Sequence, residues 1–331
     1  MEDRKGDHIR LALNSQINQD ELDTRFDYEP MLGLEADGEW KPFQFLGKTF
    51  KVPLWVSSMT GGAPEAMHIN QNLARACKEF GMGMGLGSCR ILLENEKYLP
   101  DFDVREIIGN ELPLYANIGI AQLEKMMNIG EYDRLSNLVS LLRADGLIIH
   151  VNPSQESLQE EGDLLYHRPI DTVNDFLSKT NLKIIIKEVG QGMGPRSLKE
   201  LLQLPIEAIE TASFGGTNFA RLELIRREPK NVSHLEPLTH IGHTAESMVD
   251  IINGFVDSGL DIKCKQLIIS GGIHSHLDGY YLISKSKLPA VYGQASGFLR
   301  HARDSYEALE RYVEEQVHGL RFSKAWLHPK Y

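Results

Sequence analysis

The feature that most constrains the fold is an alternation of short β-rich runs with helix-like stretches, repeated eight times along 331 residues. The runs are mostly aliphatic and do not alternate cleanly with polar residues, which is typical of parallel strands covered on both faces. The eight predicted strands are Leu54-Ser58, Met82-Ser88, Leu114-Gly119, Gly146-Asn152, Lys183-Val189, Ala208-Ala212, Gln266-Ser270 and Ala290-Gly293. The predicted helices are Pro64-Phe80, Ala121-Ala144, Ile170-Thr180, Pro195-Leu202, Thr244-Gly259, His274-Lys287 and Ser296-Leu320. This repeat predicts an α/β fold, a (β/α)8 TIM barrel.

The rival fold is a doubly wound sheet, which usually carries a glycine-rich dinucleotide turn after its first strand. The sequence contains no GxGxxG, and it also lacks a P-loop, a GxSxG and an HExxH motif. No stretch has the composition of an interdomain linker. We therefore predict one domain over residues 1–331, with residues 1–50 as an N-terminal extension packed on the barrel.

Charge and cysteine content limit the partners and the compartment. The formal net charge of −11 argues against general binding of nucleic acid or of an anionic membrane surface. The three cysteines Cys77, Cys89 and Cys264 are widely spaced, so neither a disulfide framework nor a cysteine zinc site is indicated. The N-terminus is too charged for a signal peptide, and no apolar run is long enough to span a bilayer. We expect a cytoplasmic protein.

Polar and small residues follow the predicted strands at the end where barrel active sites lie. The first strand is followed by Ser57-Ser58-Met59-Thr60-Gly61-Gly62, whose amides and hydroxyls can approach a flat ligand, although Thr60 could equally cap the next helix. The second and third strands end in Gly85-Leu86-Gly87-Ser88-Cys89-Arg90 and Ala116-Asn117-Ile118-Gly119. All three loops place polar groups at the barrel mouth.

The fourth strand is the most informative, because it is followed by His150, Asn152, Gln155, Glu156 and Glu161 within twelve residues. The two glutamates are either solvated loop carboxylates or ligands for Mg²⁺ shared with substrate phosphates. His150 is either a neutral hydrogen-bonding group or a catalyst.

Later strands supply a lysine and paired glycines. Lys187 closes the run Ile184-Ile185-Ile186, so its ammonium group should emerge at the mouth, as an anion clamp or as a Schiff-base nucleophile. Glycines follow the sixth, seventh and eighth strands at Gly215-Gly216-Thr217, Gly271-Gly272 and Gly293-Gln294-Ala295. Glycines at the seventh and eighth loops are where barrels commonly bind a phosphate.

Taken together, these motifs resemble those of the type 2 isopentenyl-diphosphate isomerases, a family of flavin-dependent barrels. The resemblance runs along most of the chain, in the same order and with similar spacing. The motifs are Arg4-Lys5-Gly6-Asp7-His8, Ser57 to Gly62, Gly87-Ser88-Cys89-Arg90, Ala116-Asn117-Ile118-Gly119, Asn152-Pro153-Ser154-Gln155-Glu156, Glu161-Gly162-Asp163, Lys187-Glu188-Val189-Gly190, Gly215-Gly216-Thr217-Asn218 and Ser270-Gly271-Gly272-Ile273.

The resemblance implies an FMN at the barrel mouth. Ser58, Met59 and Thr60 would lie beside the isoalloxazine ring, Ser88 and Asn117 near its polar edge, and Lys187 in contact with it. The ribityl chain and phosphate would be held by Thr217, Gly271, Gly272, Gly293 and Ala295. The resemblance also implies that NADPH serves only to reduce the flavin.

The implied activity is interconversion of isopentenyl and dimethylallyl diphosphate, a step of isoprenoid biosynthesis, with a small prenyl diphosphate as substrate and a homo-oligomeric assembly. Arg4, Lys5, His8 and Arg90 would clamp the diphosphate. His150, Asn152 and Gln155 would line the reacting carbons, and Glu156 would bind Mg²⁺.

Departures from the family pattern keep two alternatives open. The stretch Thr239-His240-Ile241-Gly242-His243-Thr244 stands where the family usually has a Trp-Gly-Ile-Pro-Thr-like loop, and Cys89 stands where Gln is common. Imidazoles would thus replace an aromatic wall. The alternatives are an FMN-dependent oxidoreductase related to the 2-hydroxy-acid oxidases and a flavin-binding paralogue without turnover.

Overall fold

Eight parallel strands close into a barrel in the computed structural model, which describes residues 2–227 and 234–331. The strands are β1 (Phe26–Tyr28), β2 (Phe43–Phe45), β3 (Lys48–Phe50), β4 (Leu54–Val56), β5 (Gly83–Gly85), β6 (Leu114–Gly119), β7 (Gly146–His150), β8 (Ile184–Lys187), β9 (Ala208–Glu210), β10 (Leu267–Ser270), β11 (Ala290–Gln294) and β12 (Leu327–Pro329). Each barrel strand, from β4 to β11, pairs with the next along the chain, and β11 pairs with β4 to close the barrel. The TIM-barrel prediction is confirmed.

The barrel strands are aliphatic throughout because both of their faces are buried. Ile148 of β7 and Ile185 of β8 pack inside the barrel, whereas their neighbours Ile149 and Ile186 pack against the surrounding helices. Removing both faces from water stabilises the sheet through apolar burial. Because both faces are buried, these strands lack the alternation of apolar and polar residues that is typical of a half-exposed strand.

Helices surround the barrel and connect its strands. They are α1 (Glu2–Leu11), α2 (Ala66–Phe80), α3 (Arg90–Glu94), α4 (Arg105–Ile108), α5 (Ile120–Asn128), α6 (Asp133–Leu141), α7 (Pro153–Leu158), α8 (Pro169–Leu177), α9 (Pro195–Leu202), α10 (Phe219–Arg226), α11 (Ala245–Asp257), α12 (His276–Lys285), α13 (Ser296–Asp304) and α14 (Tyr306–Trp326).

Two of the predicted helices are each divided in two, so those predictions were wrong in detail. The stretch Ala121-Ala144 is interrupted between α5 and α6, where Gly130 has a φ of +74° that favours glycine. The stretch Ser296-Leu320 is interrupted at Ser305, which has an extended backbone. The Ser305 hydroxyl accepts a hydrogen bond from the Ala308 amide and so caps α14. Hydrophobic periodicity does not register a break of so few residues.

A hairpin of β2 and β3 fills the interior of the barrel below the strands. Its turn residues Leu46 and Gly47 both have positive φ, at 52° and 73°, as a two-residue turn between twisted strands requires. Phe45, Leu46 and Phe50 are fully buried against the barrel-lining side chains, which include Trp55 and Tyr115. The Leu46 amide also donates to the Gln266 side chain at 2.8 Å.

In the rest of the N-terminal segment, the part near β1 contacts the remainder of the protein, whereas α1 and the turns after it are largely exposed. Strand β1 pairs antiparallel with β12, which joins residues 26–28 to residues 327–329. Arg25, just before β1, forms an ion pair with Asp278 of α12 at 2.8 Å. Helix α1, by contrast, has mostly exposed side chains, and the next turns leave Leu13 and Ile17 about four-fifths exposed.

Candidate active site

A cavity of about 280 Å³ opens at the carboxyl ends of the barrel strands. Seven of the residues predicted to hold the cofactor line it together: Ser58, Lys187, Thr217, Gly271, Gly272, Gly293 and Ala295. Four others lie outside its lining. Met59 and Thr60 lie in the partly exposed loop beyond Ser58, Ser88 is exposed, and Asn117 is buried.

One end of this cavity is built for an anion. The Gly271 and Gly272 backbones have φ of +83° and +69°, and a Cβ on Gly271 would lie 2.2 Å from backbone atoms of Ser213. Within the described chain no hydrogen bond takes up the amides of Gly216, Gly271 or Gly272. The N-terminus of α13 begins at the same end, since Ser296 and Gly297 also line the cavity. Free amides and a helix N-terminus are the groups with which proteins commonly bind a phosphate.

The other end of the cavity carries two polar groups, Ser58 and Lys187, whose hydrogen-bonding capacity is not fully used. The Ser58 hydroxyl is buried without a hydrogen-bond partner among the described residues. The Lys187 side chain is buried, and its ammonium group donates to the Glu188 carbonyl oxygen at 2.6 Å. Because this bond uses one of the three ammonium hydrogens of Lys187, two remain for a ligand.

His150 is held as a neutral imidazole next to this end. Its Nδ1 lies 2.7 Å from the Asn117 Oδ1, and the Asn117 amide nitrogen donates to the Leu86 carbonyl oxygen. Asn117 therefore presents an acceptor, so Nδ1 carries the proton and Nε2 keeps a lone pair. Burial of the ring, with a smaller effect from the Lys187 ammonium group, lowers the pKa of His150 to about 3.

We expect the His150 ring to show no titration between about pH 5 and 8, the range in which an ordinary histidine changes charge. Its ring signals, assigned by comparison with a His150→Asn variant, should keep constant chemical shifts by NMR. Because an unfolded chain binds the proton near pH 6.5 and the folded chain only near 3, the stability contributed by neutral His150 is full above 6.5 and falls with decreasing pH. A midpoint inside the range would contradict this assignment.

A second polar cluster lies on α7 and α10, beyond the end of β7. The buried Asn152 donates through Nδ2 to the Gln155 and Glu156 side chains, each at 3.0 Å. The Gln155 amide nitrogen donates to Oε1 of buried Glu223 at 3.0 Å. Both ends of the Gln155 amide are therefore fixed, with one N–H still free to meet a ligand.

The same cluster fixes Glu156 and Glu161 in different ways. Glu156 accepts from Asn152 on one oxygen and from the Asp163 amide, at 2.8 Å, on the other. Glu161 lies at the surface, where the Arg226 guanidinium group lowers its carboxyl pKa. Nowhere in residues 2–227 and 234–331 do three or more His, Cys, Asp or Glu side chains form a group that could hold a metal ion. A cation at Glu156 would need further oxygens from a ligand.

The predicted diphosphate clamp is only partly assembled at the mouth. Arg90, at the start of α3, is exposed, and its Nη1 lies 3.6 Å from Asp163, the residue whose amide binds Glu156. Arg4, Lys5 and His8 lie on exposed α1 and do not line the cavity. The structure thus brings Arg90 near the second polar cluster and leaves the other three in solvent.

Two residues of the site, Glu210 and Glu223, were not predicted from the sequence. Glu210 is fully buried and lines the cavity, where the Ser57 and Ser270 hydroxyls bond to it, and Glu223, outside the cavity lining, anchors Gln155. Glu210 had a usable signal, because it is a charged residue inside an apolar predicted strand, as Lys187 is. Conversely, His240 and His243 do not line this cavity, and His243 faces a separate groove beside Gly194. The imidazoles of the stretch from Thr239 to Thr244 therefore form no wall of this cavity.

Solved structures resemble this barrel at low sequence identity. The flavin-binding domain of baker's yeast flavocytochrome b2 matches with a TM-score of 0.61 and 12% identity, over 90% of this chain and 71% of that one. A mandelate oxidase variant with (S)-mandelic acid matches with a TM-score of 0.55 and 14% identity, over 92% and 86%. Such similarities bear on the fold. No helix in the described part of the chain has both the length and the apolar character needed to cross a membrane.

Sequence relatives are closer, although no protein-family model matches. The isopentenyl-diphosphate delta-isomerase of Synechococcus sp. is 32% identical over 329 residues, covering 96% of this chain and 90% of the relative. That of Deinococcus radiodurans is 32% identical over 326 residues (97% and 92%), and that of Rickettsia typhi 31% over 319 residues (95% and 89%). The chain therefore belongs to the isopentenyl-diphosphate delta-isomerase family, which confirms the resemblance to its type 2 members.

Proposed function

We propose that this protein interconverts isopentenyl and dimethylallyl diphosphate with FMN, Mg²⁺ and an external reductant such as NADPH. The reaction adds a proton to the terminal CH₂ carbon of the double bond and removes one from the methylene on its other side. The observation that carries the proposal is the Gln155 amide, which is fixed at both ends beside the Glu156 carboxylate on α7, the helix that follows β7. The names of the relatives support the same reaction.

Three independent features of the cavity are suited to binding FMN. Free amides at Gly216, Gly271 and Gly272 would receive the phosphate, and the unpartnered Ser58 hydroxyl and the Lys187 ammonium group would meet the ring. When bound and reduced, FMN would supply the acid and base groups that an unactivated alkene needs. The surrounding residues would hold the substrate in position and exclude water.

The chain's own residues would orient the substrate around these groups. Neutral His150 offers the Nε2 lone pair, and Gln155 offers one amide N–H beside the reacting carbons. Glu156 would hold Mg²⁺ together with oxygens of the substrate diphosphate, which is how this small hard cation is usually bound. Arg90 would add a positive charge near the same diphosphate.

The direct test is an anaerobic assay of the purified protein with FMN, Mg²⁺ and dithionite. In D₂O, NMR should show conversion of isopentenyl diphosphate and deuterium in a methyl group of the product. Leaving out the reductant should stop the reaction. Absence of isomerisation with the flavin fully reduced would overturn the proposal, and stoichiometric reduction of FMN by a 2-hydroxy acid would favour the oxidoreductase instead.

Replacing Glu156 with glutamine should raise the Mg²⁺ concentration needed for half-maximal activity about tenfold or more, because an amide oxygen is a weaker ligand for a hard cation than a carboxylate. The measurement is a Mg²⁺ titration of the isomerisation rate. Glu160→Gln is the matched control, since Glu160 is an exposed carboxylate of the same loop. An identical Mg²⁺ dependence in the Glu156 variant would make Glu156 an ordinary loop residue.

Removing residues 1–8 should raise the substrate KM about tenfold or more while leaving FMN content and thermal stability unchanged. Arg4 and Lys5 are solvated in this structure and would close on the diphosphate through charge-assisted hydrogen bonds, each worth roughly 1.5–3 kcal/mol. The full-length KM should rise with ionic strength more steeply than the truncated one. Arg10→Ala is the control, because Arg10 already pairs with Asp7. Equal KM values and equal salt slopes would show that the segment has no part in binding.

A further inference from the structure

A fully buried carboxylate, Glu210, lies in the floor of the mouth cavity and has no part in the function described above. It ends β9, and its register neighbours are Lys187 on β8 and Ile268 on β10. The Lys187 ammonium group is directed to the Glu188 carbonyl oxygen and forms no ion pair with Glu210. A carboxylate removed from water in this way is costly unless other groups stabilise it.

Two serine hydroxyls bond to the same oxygen of Glu210. The Ser57 hydroxyl donates to Oε1 at 2.6 Å, a short distance for an O–H donor. The Ser270 hydroxyl lies 3.1 Å from the same oxygen, and its own oxygen already accepts from the Ala212 amide, so its hydrogen is directed to Glu210. Oε1 therefore receives two donors, as an unprotonated oxygen can.

The second oxygen of Glu210 lacks such support. Oε2 is buried, and no donor in the described chain reaches it. A buried polar oxygen without a hydrogen-bond partner is unfavourable in a folded protein. Since Glu210 lines the cavity, a ligand in that cavity can supply the missing hydrogen.

The position of Glu210 identifies the part of the ligand that it meets. Ser270 immediately precedes the Gly271-Gly272 pair at the phosphate end, and Ser57 immediately precedes Ser58 at the ring end. Glu210, bonded to both serines, lies between the two ends. We infer that Glu210 accepts a hydrogen bond from a hydroxyl group of the ribityl chain of FMN, an inference that rests on the proposed function.

The chemistry of FMN agrees with this assignment. Its bound phosphate dianion has no hydrogen to donate, and the oxidised ring has one N–H group at its far polar edge. The chain between them carries three hydroxyl groups, each of which can donate one hydrogen. The carboxyl oxygen of Glu210 that lacks a donor therefore matches the middle of the molecule, where the hydroxyl groups lie.

The test is a binding cycle between two proteins and four ligands. Apo-protein, as the wild type and as Glu210→Gln, is titrated with FMN and with its three monodeoxy ribityl analogues, and binding is followed by flavin fluorescence. In the wild type, one analogue should bind about 10- to 100-fold more weakly than FMN. Glu210→Gln should bind FMN more weakly by a similar factor and should no longer distinguish that analogue from FMN. Lys199→Gln, an exposed site on α9, serves as the control.

The outcomes separate this inference from the proposed function. Failure of the wild type to bind FMN would overturn the proposed function. Normal FMN binding with equal affinity for all three analogues, or equal FMN affinity in Glu210→Gln, would overturn the role of Glu210 and leave a buried water as the partner of Oε2. If Glu210→Gln does not fold, Glu210→Asp takes its place in the same cycle. If neither folds, the wild-type analogue series decides.

Discussion

Replacing Gln155 with alanine is expected to lower the rate of isomerisation about 10²- to 10⁴-fold, the range in which a positioned proton-handling group usually contributes. Asn152 and Glu223 fix both ends of the Gln155 amide, so its free N–H has one direction available. Alanine removes that group and leaves the mouth cavity, which Gln155 does not line, unchanged. The measurements are kcat with reduced FMN and the FMN dissociation constant, of which only kcat should change.

A neighbouring site on the same helix controls for the Gln155 result. Ser157 is exposed on α7, so Ser157→Ala should retain the wild-type rate. A rate for Gln155→Ala close to the wild type would remove this residue from the mechanism. Loss of FMN from Gln155→Ala would instead show that the amide contributes to cofactor binding.

Phe50→Ala is expected to destabilise the protein by about 3–5 kcal/mol, the usual effect of removing a fully buried aromatic ring. Phe50 packs edge to face on Phe45, with ring centroids 5.4 Å apart, inside the barrel below the strands. The closed strands surrounding it have little freedom to collapse into the space left behind. Chemical denaturation monitored by fluorescence and circular dichroism would measure the loss.

Ile9→Ala is the control for this substitution, because Ile9 is 81% exposed on α1 and should change stability by no more than about 0.5 kcal/mol. A small effect of Phe50→Ala would show that the hairpin can leave the barrel without loss of the core. In that case the packing of the β2–β3 hairpin inside the barrel would contribute little to the stability of the fold.

The fold was predictable from the sequence because the repeat of strand and helix specifies one architecture. All eight predicted strands overlap strands of the barrel. The hydrogen-bonded strands of the structure are often shorter than the strands predicted from the sequence. Ser88, Asn152 and Ala212, for example, belong to the loops, because hydrogen-bonded pairing stops where the chain turns into the mouth. The short helices α7 and α10 were not predicted, because they are too brief for a clear periodicity.

The candidate site was predictable where the loop composition was unusual. Gly271 and Gly272 indicated a close backbone approach, and a lysine after three isoleucines indicated an ammonium group at the barrel mouth, where Lys187 lines the cavity. Glu223 gave no comparable signal, because a glutamate on a helix is ordinarily solvated. Its burial depends on the meeting of α10 with α7, whose residues are almost seventy positions apart in the Gln155–Glu223 contact. Such a meeting cannot be read from local sequence.

Because β1 pairs with β12, the first of these strands stays unpaired during synthesis until the second has been made. Residues 26–28 leave the ribosome long before their partners at 327–329. The barrel has the same property, since β4 has its open edge until β11 arrives. Contacts between such distant positions form slowly, and unpaired strand edges promote association with other chains in the meantime. Nascent chains should therefore need protection of these edges until the C-terminal strands emerge.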